Sequence, residues 1–420
     1  MPKNKPESKN FMIIYGIAGE YNPFHTGHLH HIRQTRLLSP DDGAVVCVMS
    51  GVFVQRGDVA VFDAHARAEA AVRSGADLVL ELPLPWALSS AEGFALGAAG
   101  ILNALGIVTH MSFGSEIGDV EPLARAAHAL IDPDFERELR LRAQSSTESF
   151  ARTRQNLLRE RIGVGADPLD KPNNILAVEY IKALLRLDSP IIPVTIPRVG
   201  SGHDSDDDTI SDSEHELEPL SASKLRSMLK SGADISEYVP PEAIAIYRRE
   251  TSLGRGPVSL GDLETAIISR LRAVPPDVFE TLPDASEGLQ NRLRRAAYTE
   301  PTIETILSAA KSKRYALSRL RRMLLCAALG VTAGISKSAP GFTRLLAANS
   351  RGLELLRLSK TESRVPIVVK PSAAERLLSA DDFRIFELCR AADDLYALGF
   401  ASPSERRGGE SWRKSPVILP

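Results

Sequence analysis

The sequence predicts an α/β fold: a parallel β-sheet wrapped by helices, followed by a mainly helical C-terminal region. Three observations carry that expectation. Short β-branched runs alternate with helix-like segments through the first half of the chain, joined by short connections, which is the pattern of right-handed βαβ units. Those runs are continuously apolar, as in strands covered on both faces. Beyond Pro240-Pro241 the pattern turns helical and more basic. The 420 residues suffice for two or three domains.

Taken in order, Met1 to Asn10 is polar and Pro/Lys-rich, and is expected to be disordered. Phe11 to Ile14 opens a buried strand that continues toward Ala18. A Gly/Asn/Pro turn and a helix from Leu29 to Leu38 follow, with His25 and His28 at the junction. Strand, glycine-containing turn and helix start make an anion site, because first-turn N–H groups lack intrahelical partners and the helix dipole favours negative charge there. Gly43 to Met49 is the next strand, Ser50 to Gly57 a loop, and Asp63 to Ser74 a helix ended by Gly75. Asp77 to Pro83 and Ile107 to Phe113 read as strands flanking a helix from Ser89 to Leu105. The loops after Ala18, Met49 and Phe113 leave strands at one edge, where such sheets bind ligands.

Glu121 to Arg161 is helical, and Asn173-Asn174 carries capping chemistry for a helix running to Leu187. After a short strand ending near Arg198, residues 200–219 are rich in Asp, Glu, Ser and Gly and read as a flexible acidic loop. Order resumes at Leu220-Ser-Ala-Ser-Lys-Leu-Arg226. Ser221 or Ser223 is suited to cap a helix there, and Lys224 and Arg226 near its start oppose the dipole unless an anion binds. These features define a domain of residues 11–239 followed by one of 240–420.

Charge and composition exclude several classes. A net charge of −2 gives no global signal for nucleic acid, so any polyanion surface is local. Cys47, Cys326 and Cys389 are few, distant and in apolar contexts, which points to buried thiols in a reducing compartment. With no signal-like segment and no apolar stretch long enough for a bilayer, a cytoplasmic location and no membrane partner are expected.

The histidines admit three readings: metal ligands, structural residues at a turn, or donors to a phosphate. No thiolate or carboxylate completes a metal set beside them, so no metal ligands are assigned. Their position after a first strand favours phosphate chemistry, in which positioning and charge stabilisation suffice. Ser223, Lys224 and Arg226 would grip the same triphosphate. The run Lys311-Ser-Lys-Arg-Tyr-Ala-Leu-Ser-Arg-Leu-Arg-Arg322 is read either as a solvated helix face or as a nucleic-acid surface. On the second reading, Lys311, Lys313, Arg314, Arg319 and Arg322 would hold phosphates while Tyr315 stacks on a base.

Glu20-Tyr-Asn-Pro-Phe-His-Thr-Gly-His28 is similar to the HxGH signature of the nucleotidylyltransferase superfamily, and Ser221 to Arg226 resembles its second motif. The whole chain resembles the bacterial tRNA(Met) cytidine acetate ligase family. The further matches are Met49 to Gly57, Gly75 to Pro83, Phe113 to Glu116, Asn173 to Leu176, Ser286 to Leu289, Lys313 to Tyr315 and Ser415 to Val417. The resemblance implies a Rossmann-like nucleotidylyltransferase domain carrying the ATP site and a helical tRNA-binding domain. It implies ATP-dependent activation of acetate as acetyl-adenylate, with release of pyrophosphate, and acetylation of N4 of the wobble cytidine of elongator tRNA(Met). The implied ATP site comprises Ile14, Tyr15, Gly16, Ile17, Ala18, Gly19, Glu20, Tyr21, Asn22, Pro23, Phe24, His25, Thr26, Gly27, His28 and Leu29, with Gly114, Asn174 (chosen over Asn173) and Arg198. His25 and His28 would be catalytic, and a magnesium ion is expected on the triphosphate. The sequence departs from the family pattern at Thr26, Val52 and Ala64, where Asn, Asn and Lys are expected. A small-molecule adenylyl- or cytidylyltransferase and a non-catalytic tRNA-binding homologue are the alternatives.

Overall fold

The computed structural model describes residues 12–39, 43–145, 150–163, 171–198, 220–286, 288–312 and 315–420. The expectations for residues 1–10 and 200–219 lie outside the described residues, as do Lys313 and Arg314.

Strands β1 (Ile14–Gly19), β2 (Ala44–Ser50), β5 (Leu78–Leu82), β6 (His110–Ser115) and β7 (Ile192–Pro197) form the parallel part of one sheet. β3 (Phe53–Val54) and β4 (Asp58–Val59) form a separate antiparallel hairpin. The loop expected at 50–57 therefore contains a small ladder of its own. β8 (Thr343–Ala348), β9 (Ile367–Val368) and β10 (Val417–Ile418) complete the large sheet in the order β10-β8-β5-β2-β1-β6-β7, with β9 also on β8. β8 runs antiparallel to β5. The division expected at residue 239 thus does not coincide with the edge of the sheet.

β2 shows why its sequence is continuously apolar. All seven residues are buried. Ala44, Val46 and Val48 enter the core on one face, while Val45, Cys47 and Met49 enter the core on the other. Each buried valine, and Met49, contributes roughly 1.5–3 kcal/mol relative to exposure.

Helices α1 (Thr26–Leu37), α2 (Ala64–Arg73) and α3 (Ala91–Ala104) connect the early strands. The long helical stretch expected from Glu121 is three helices: α4 (Val120–Ile131), α5 (Pro133–Ser145) and α6 (Phe150–Ile162). α7 (Pro172–Arg186) starts two residues earlier than expected. Its N-cap is Lys171 and Pro172 occupies the first turn, so neither Asn173 nor Asn174 is the cap. α8 (Ala222–Lys230) is capped by Ser221. α9 (Pro241–Ser252), α10 (Glu264–Ala273), α11 (Leu289–Thr299), α12 (Ile303–Ala310) and α13 (Leu317–Leu329) follow. α14 (Ser350–Glu362) and α15 (Ala380–Ala397) come after β8. Their largest helical core also takes in Val52, Phe53, Val59, Leu84 and Leu88, so the hairpin joins the helical region to the sheet. Among the described residues, no helix is long and apolar enough to cross a membrane.

Candidate active site

β1, β2, β6 and β7 end side by side, with Gly19 opposite Met49 and Ser115 opposite Pro197. The loops that the sequence singles out therefore do gather at one edge. Ile14, Tyr15 and Ile17 are buried in strand β1, and a Cβ on Gly16 would lie 2.6 Å from Leu102 Cδ1. That glycine is required by packing against α3. Partial exposure begins at Ala18, Gly19 and Glu20 and returns at Thr26, Gly27, His28 and Leu29, while Tyr21, Asn22, Pro23 and Phe24 are buried between them.

The turn is held from several directions. Tyr21 adopts a left-handed φ of 48°, unusual for a bulky residue, and its hydroxyl meets Cys47 Sγ at 3.1 Å. Asn22 Oδ1 accepts from Val61 N at 2.8 Å, and Phe24 N donates to the Tyr247 hydroxyl at 2.8 Å. Tyr247 stacks on Phe62 at 4.4 Å.

The two histidines are built into the helix start. His25 is the N-cap of α1, and its Nδ1 accepts from Gly27 N at 3.0 Å. His28 Nδ1 accepts in return from His25 N at 3.3 Å, closing a capping box. Since both Nδ1 atoms accept, each imidazole is neutral with its proton on Nε2. Burial, reinforced by His25, Arg198 and His31, holds the His28 pKa well below its usual value. The first-turn N–H groups are also engaged: Thr26 N donates to Tyr238 O at 2.9 Å and His28 N to His25 O at 2.9 Å. Open backbone donors, expected from the sequence, are thus replaced by imidazole Nε2–H groups as the directional donors of this helix end.

α8 brings the second motif to the first. Arg226 donates to Asn22 O at 3.0 Å and to Ser223 Oγ at 2.8 Å, while Lys224 N donates to Ser221 Oγ at 3.3 Å. On the other side, Arg198 lies over Gly114, whose Cβ position is 3.4 Å from Arg198 Cγ, and donates to Asn173 Oδ1 at 3.1 Å. Asn174 Oδ1 accepts from Glu116 N at 2.9 Å, and the Glu116 carboxylate accepts from Asn174 N at 2.8 Å and Asn173 Nδ2 at 2.6 Å. Asn173 therefore holds Arg198, and Asn174 fixes the loop after β6.

Two residues were missed in the sequence. His31 follows His28 by three residues and faces the same helix side; its Nε2 meets Ser112 Oγ at 3.0 Å, and Ser112 meets Thr35 at 2.7 Å. The His-x-x-His spacing was the available signal. Arg67 is fully buried and donates to the carbonyls of Phe62, Glu20, Ser50 and Gly51, joining the loops after β1 and β2. Nothing in its Ala-rich helix announces that role. Glu20 in turn accepts from Gln55 N at 2.9 Å on the hairpin.

Glu81, unassigned from sequence, is an internal ion-pair partner. It binds Arg344, which also reaches Asp393 Oδ2 at 2.9 Å and Ser411 Oγ at 2.9 Å. Where a lysine is expected at Ala64, the C-terminal segment supplies one nearby. Lys414 Nζ lies 2.7 Å from the N-cap carboxylate of Asp63, beside a cavity of about 20 Å³ lined by Ala64, His65 and Arg344. Within the basic run at 311–322, Arg319 and Arg322 are engaged inside the protein. Its helix, α13, begins only at Leu317; Arg319 donates to Asp284 O and covers the Tyr315 ring at 4.8 Å, and Arg322 pairs with Asp284 at 3.3 Å. Among the described residues no cluster of His, Cys, Asp or Glu is arranged to hold a metal ion.

The family described as HIGH Nucleotidyl Transferase matches residues 12–411. The tRNA(Met) cytidine acetate ligase of Acetivibrio thermocellus is 36% identical over 425 residues, covering 97% of this chain and 100% of that protein. The tRNA(Met) cytidine acetate ligase of Thermoanaerobacter sp. is 37% identical over 400 residues, covering 94% and 97%. The crystal structure of Thermotoga maritima TmcAL bound with alpha-thio ATP is similar with a TM-score of 0.88 at 32% identity, covering 97% of this chain and 100% of that one. Its apo form gives a TM-score of 0.90.

Proposed function

Because the chain belongs to the tRNA(Met) cytidine acetate ligase family, we propose that its two-motif site activates acetate with ATP and passes the acetyl group to the wobble cytidine of elongator tRNA(Met). The observation that carries this reading is the reciprocal capping of His25 and His28, which puts the proton of each ring on Nε2. Two neutral donors so fixed suit the nonbridging oxygens of an α-phosphate, which gain charge as pyrophosphate departs. Lys224 and Arg226 are assigned to the β- and γ-phosphates, and Arg198 to the nucleotide beside Gly114.

The acetate carboxylate attacks the α-phosphorus, the α–β bridging bond breaks, and pyrophosphate leaves with its electron pair. The N4 amine of cytidine then attacks the acetyl carbonyl, AMP departs, and the amine loses one proton. The protein supplies no nucleophile, so catalysis is positioning and charge stabilisation. The described side chains offer no carboxylate cage for magnesium, and the ion expected on the triphosphate would enter with ATP.

The test is ATP–pyrophosphate exchange with and without acetate, followed by mass analysis of tRNA(Met) nucleosides. Exchange that requires acetate and a cytidine heavier by one acetyl group are expected. Exchange indifferent to acetate would overturn the reading. His28→Ala removes one donor and is expected to slow exchange by about 10²–10³-fold while the protein stays folded.

A further inference from the structure

We infer that the exposed face of α11, flanked by the end of α10, is the surface on which the tRNA backbone lies. This rests on the proposed function and locates its macromolecular substrate on a helix face that borders the start of the run at 311–322. Its basis is an imbalance of pairing. On α4 to α6, by contrast, arginines alternate with acids and pair with them: Arg125 with Glu121, Arg140 with Glu136, Arg142 with Glu138, and Arg161 with Asp132. α11 (Leu-Gln-Asn-Arg-Leu-Arg-Arg-Ala-Ala-Tyr-Thr) carries Arg292, Arg294 and Arg295 and no acidic residue. Neither these three nor Arg272 on α10 makes an ion pair among the described residues. In a chain of net charge −2, three such arginines on one helix with no acid are a local concentration of positive charge.

Helical spacing sorts the residues. Leu289, Leu293, Ala296 and Ala297 are buried, so Arg292, Arg295 and Tyr298 share the outward face. Tyr298 is 49% exposed, and its hydroxyl donates to Arg272 O at 3.3 Å, which steadies the ring. Arg272 bonds the carbonyls of Ala297 and Glu300 at 3.2 and 3.1 Å, and Arg292 bonds Lys311 O at 2.9 Å. These are carbonyl contacts, which orient the guanidinium groups and leave their charge unneutralised. Nearby carboxylates are turned elsewhere: Glu280 takes Gln290 at 2.8 Å, and Glu300 takes the Thr299 hydroxyl at 3.4 Å.

The 11 residues of α11 extend roughly 16 Å, room for several consecutive phosphates. An aromatic ring set among those cations offers a stacking platform for an unpaired base, the combination that RNA surfaces use. The occupant is therefore a folded RNA with unpaired bases, which matches tRNA.

Filter binding of an elongator tRNA(Met) transcript across a salt series tests this, alongside acetate-dependent ATP–pyrophosphate exchange. R292Q/R295Q is expected to weaken tRNA binding at least about tenfold and to flatten the log–log salt slope by between one and two. Exchange should be unchanged, which also reports an intact fold. Arg125→Gln, on α4, should bind as wild type does. Unchanged affinity and slope in R292Q/R295Q, or equal weakening in Arg125→Gln, would overturn the inference while leaving the acetate reaction standing. Wild-type protein that exchanges but binds no tRNA would overturn the proposed function and this surface together. Should R292Q/R295Q lose exchange, Tyr298→Leu decides: weaker tRNA binding with exchange intact supports the surface, and undiminished binding rejects it.

Discussion

His31 is half-buried beside His25 and His28, hydrogen-bonded to Ser112, with its pKa pushed down to about 4 by desolvation first and then by Arg198 and His30. The folded protein therefore resists a proton that the unfolded chain accepts below about 6.5. The unfolded state binds more protons between those two values, so stability is complete above about pH 6.5 and falls as the pH drops toward 4. The loss is on the order of 2 kcal/mol, the full shift being discounted for the ring's partial exposure. In His31→Gln, urea unfolding midpoints at pH 7 and pH 5 should differ less than in the wild type. Equal pH dependence in the two proteins would remove His31 from this role. The histidine turn was legible in the sequence as a helix start because its contacts are local: His25, Gly27 and His28 cap each other within four residues. The state of the rings was not readable, because it depends on hydrogen-bond direction.

At the level of elements, the loops at the mouth are joined through one buried guanidinium. Arg67 of α2 bonds carbonyls after β1 and β2 that lie 47 and 16 residues away in sequence. A lysine retains the charge but offers one nitrogen where a planar fork spans four carbonyls. Arg67→Lys is expected to cost about 2–4 kcal/mol in urea unfolding and to raise the KM for ATP in the exchange assay. A variant as stable and active as wild type would show that the loops hold themselves. The parallel strands were legible because β2 and β5 are buried along their whole length and mostly apolar. β8 was not. Thr343-Arg-Leu-Leu-Ala-Ala348 has the residues of a helix, and only its pairing with β5, β9 and β10 makes it a strand. Likewise the sequence draws attention to the denser run at 311–322 before the basic face on α11, although Arg319 and Arg322 of that run have partners inside the fold.

For the whole molecule, the sheet and the helical region are one folding problem. Residues after 239 provide Tyr247 to the histidine turn, Arg344 to Glu81 and Lys414 to Asp63. Glu81 is 3% exposed and Asp63 6%. Losing the cation beside such a group leaves a carboxylate without its compensating charge, a change worth about 3–5 kcal/mol for a buried pair. A fragment of residues 1–239 is therefore expected to be insoluble or to unfold without a cooperative transition. A soluble fragment with a sharp urea transition and acetate-dependent exchange would contradict this.

The place of β8 has a consequence for synthesis. Glu81 on β5 and Thr343 on β8 are hydrogen-bonded neighbours separated by 262 residues. At about 5–20 residues per second, the nascent chain carries an unmatched β5 for roughly 10–50 s before its partner leaves the ribosome. During that interval the strand offers a free edge to any other extended segment. The protein is thus most vulnerable to wrong pairing while it is still being made, and the edge is covered only when the late strands arrive.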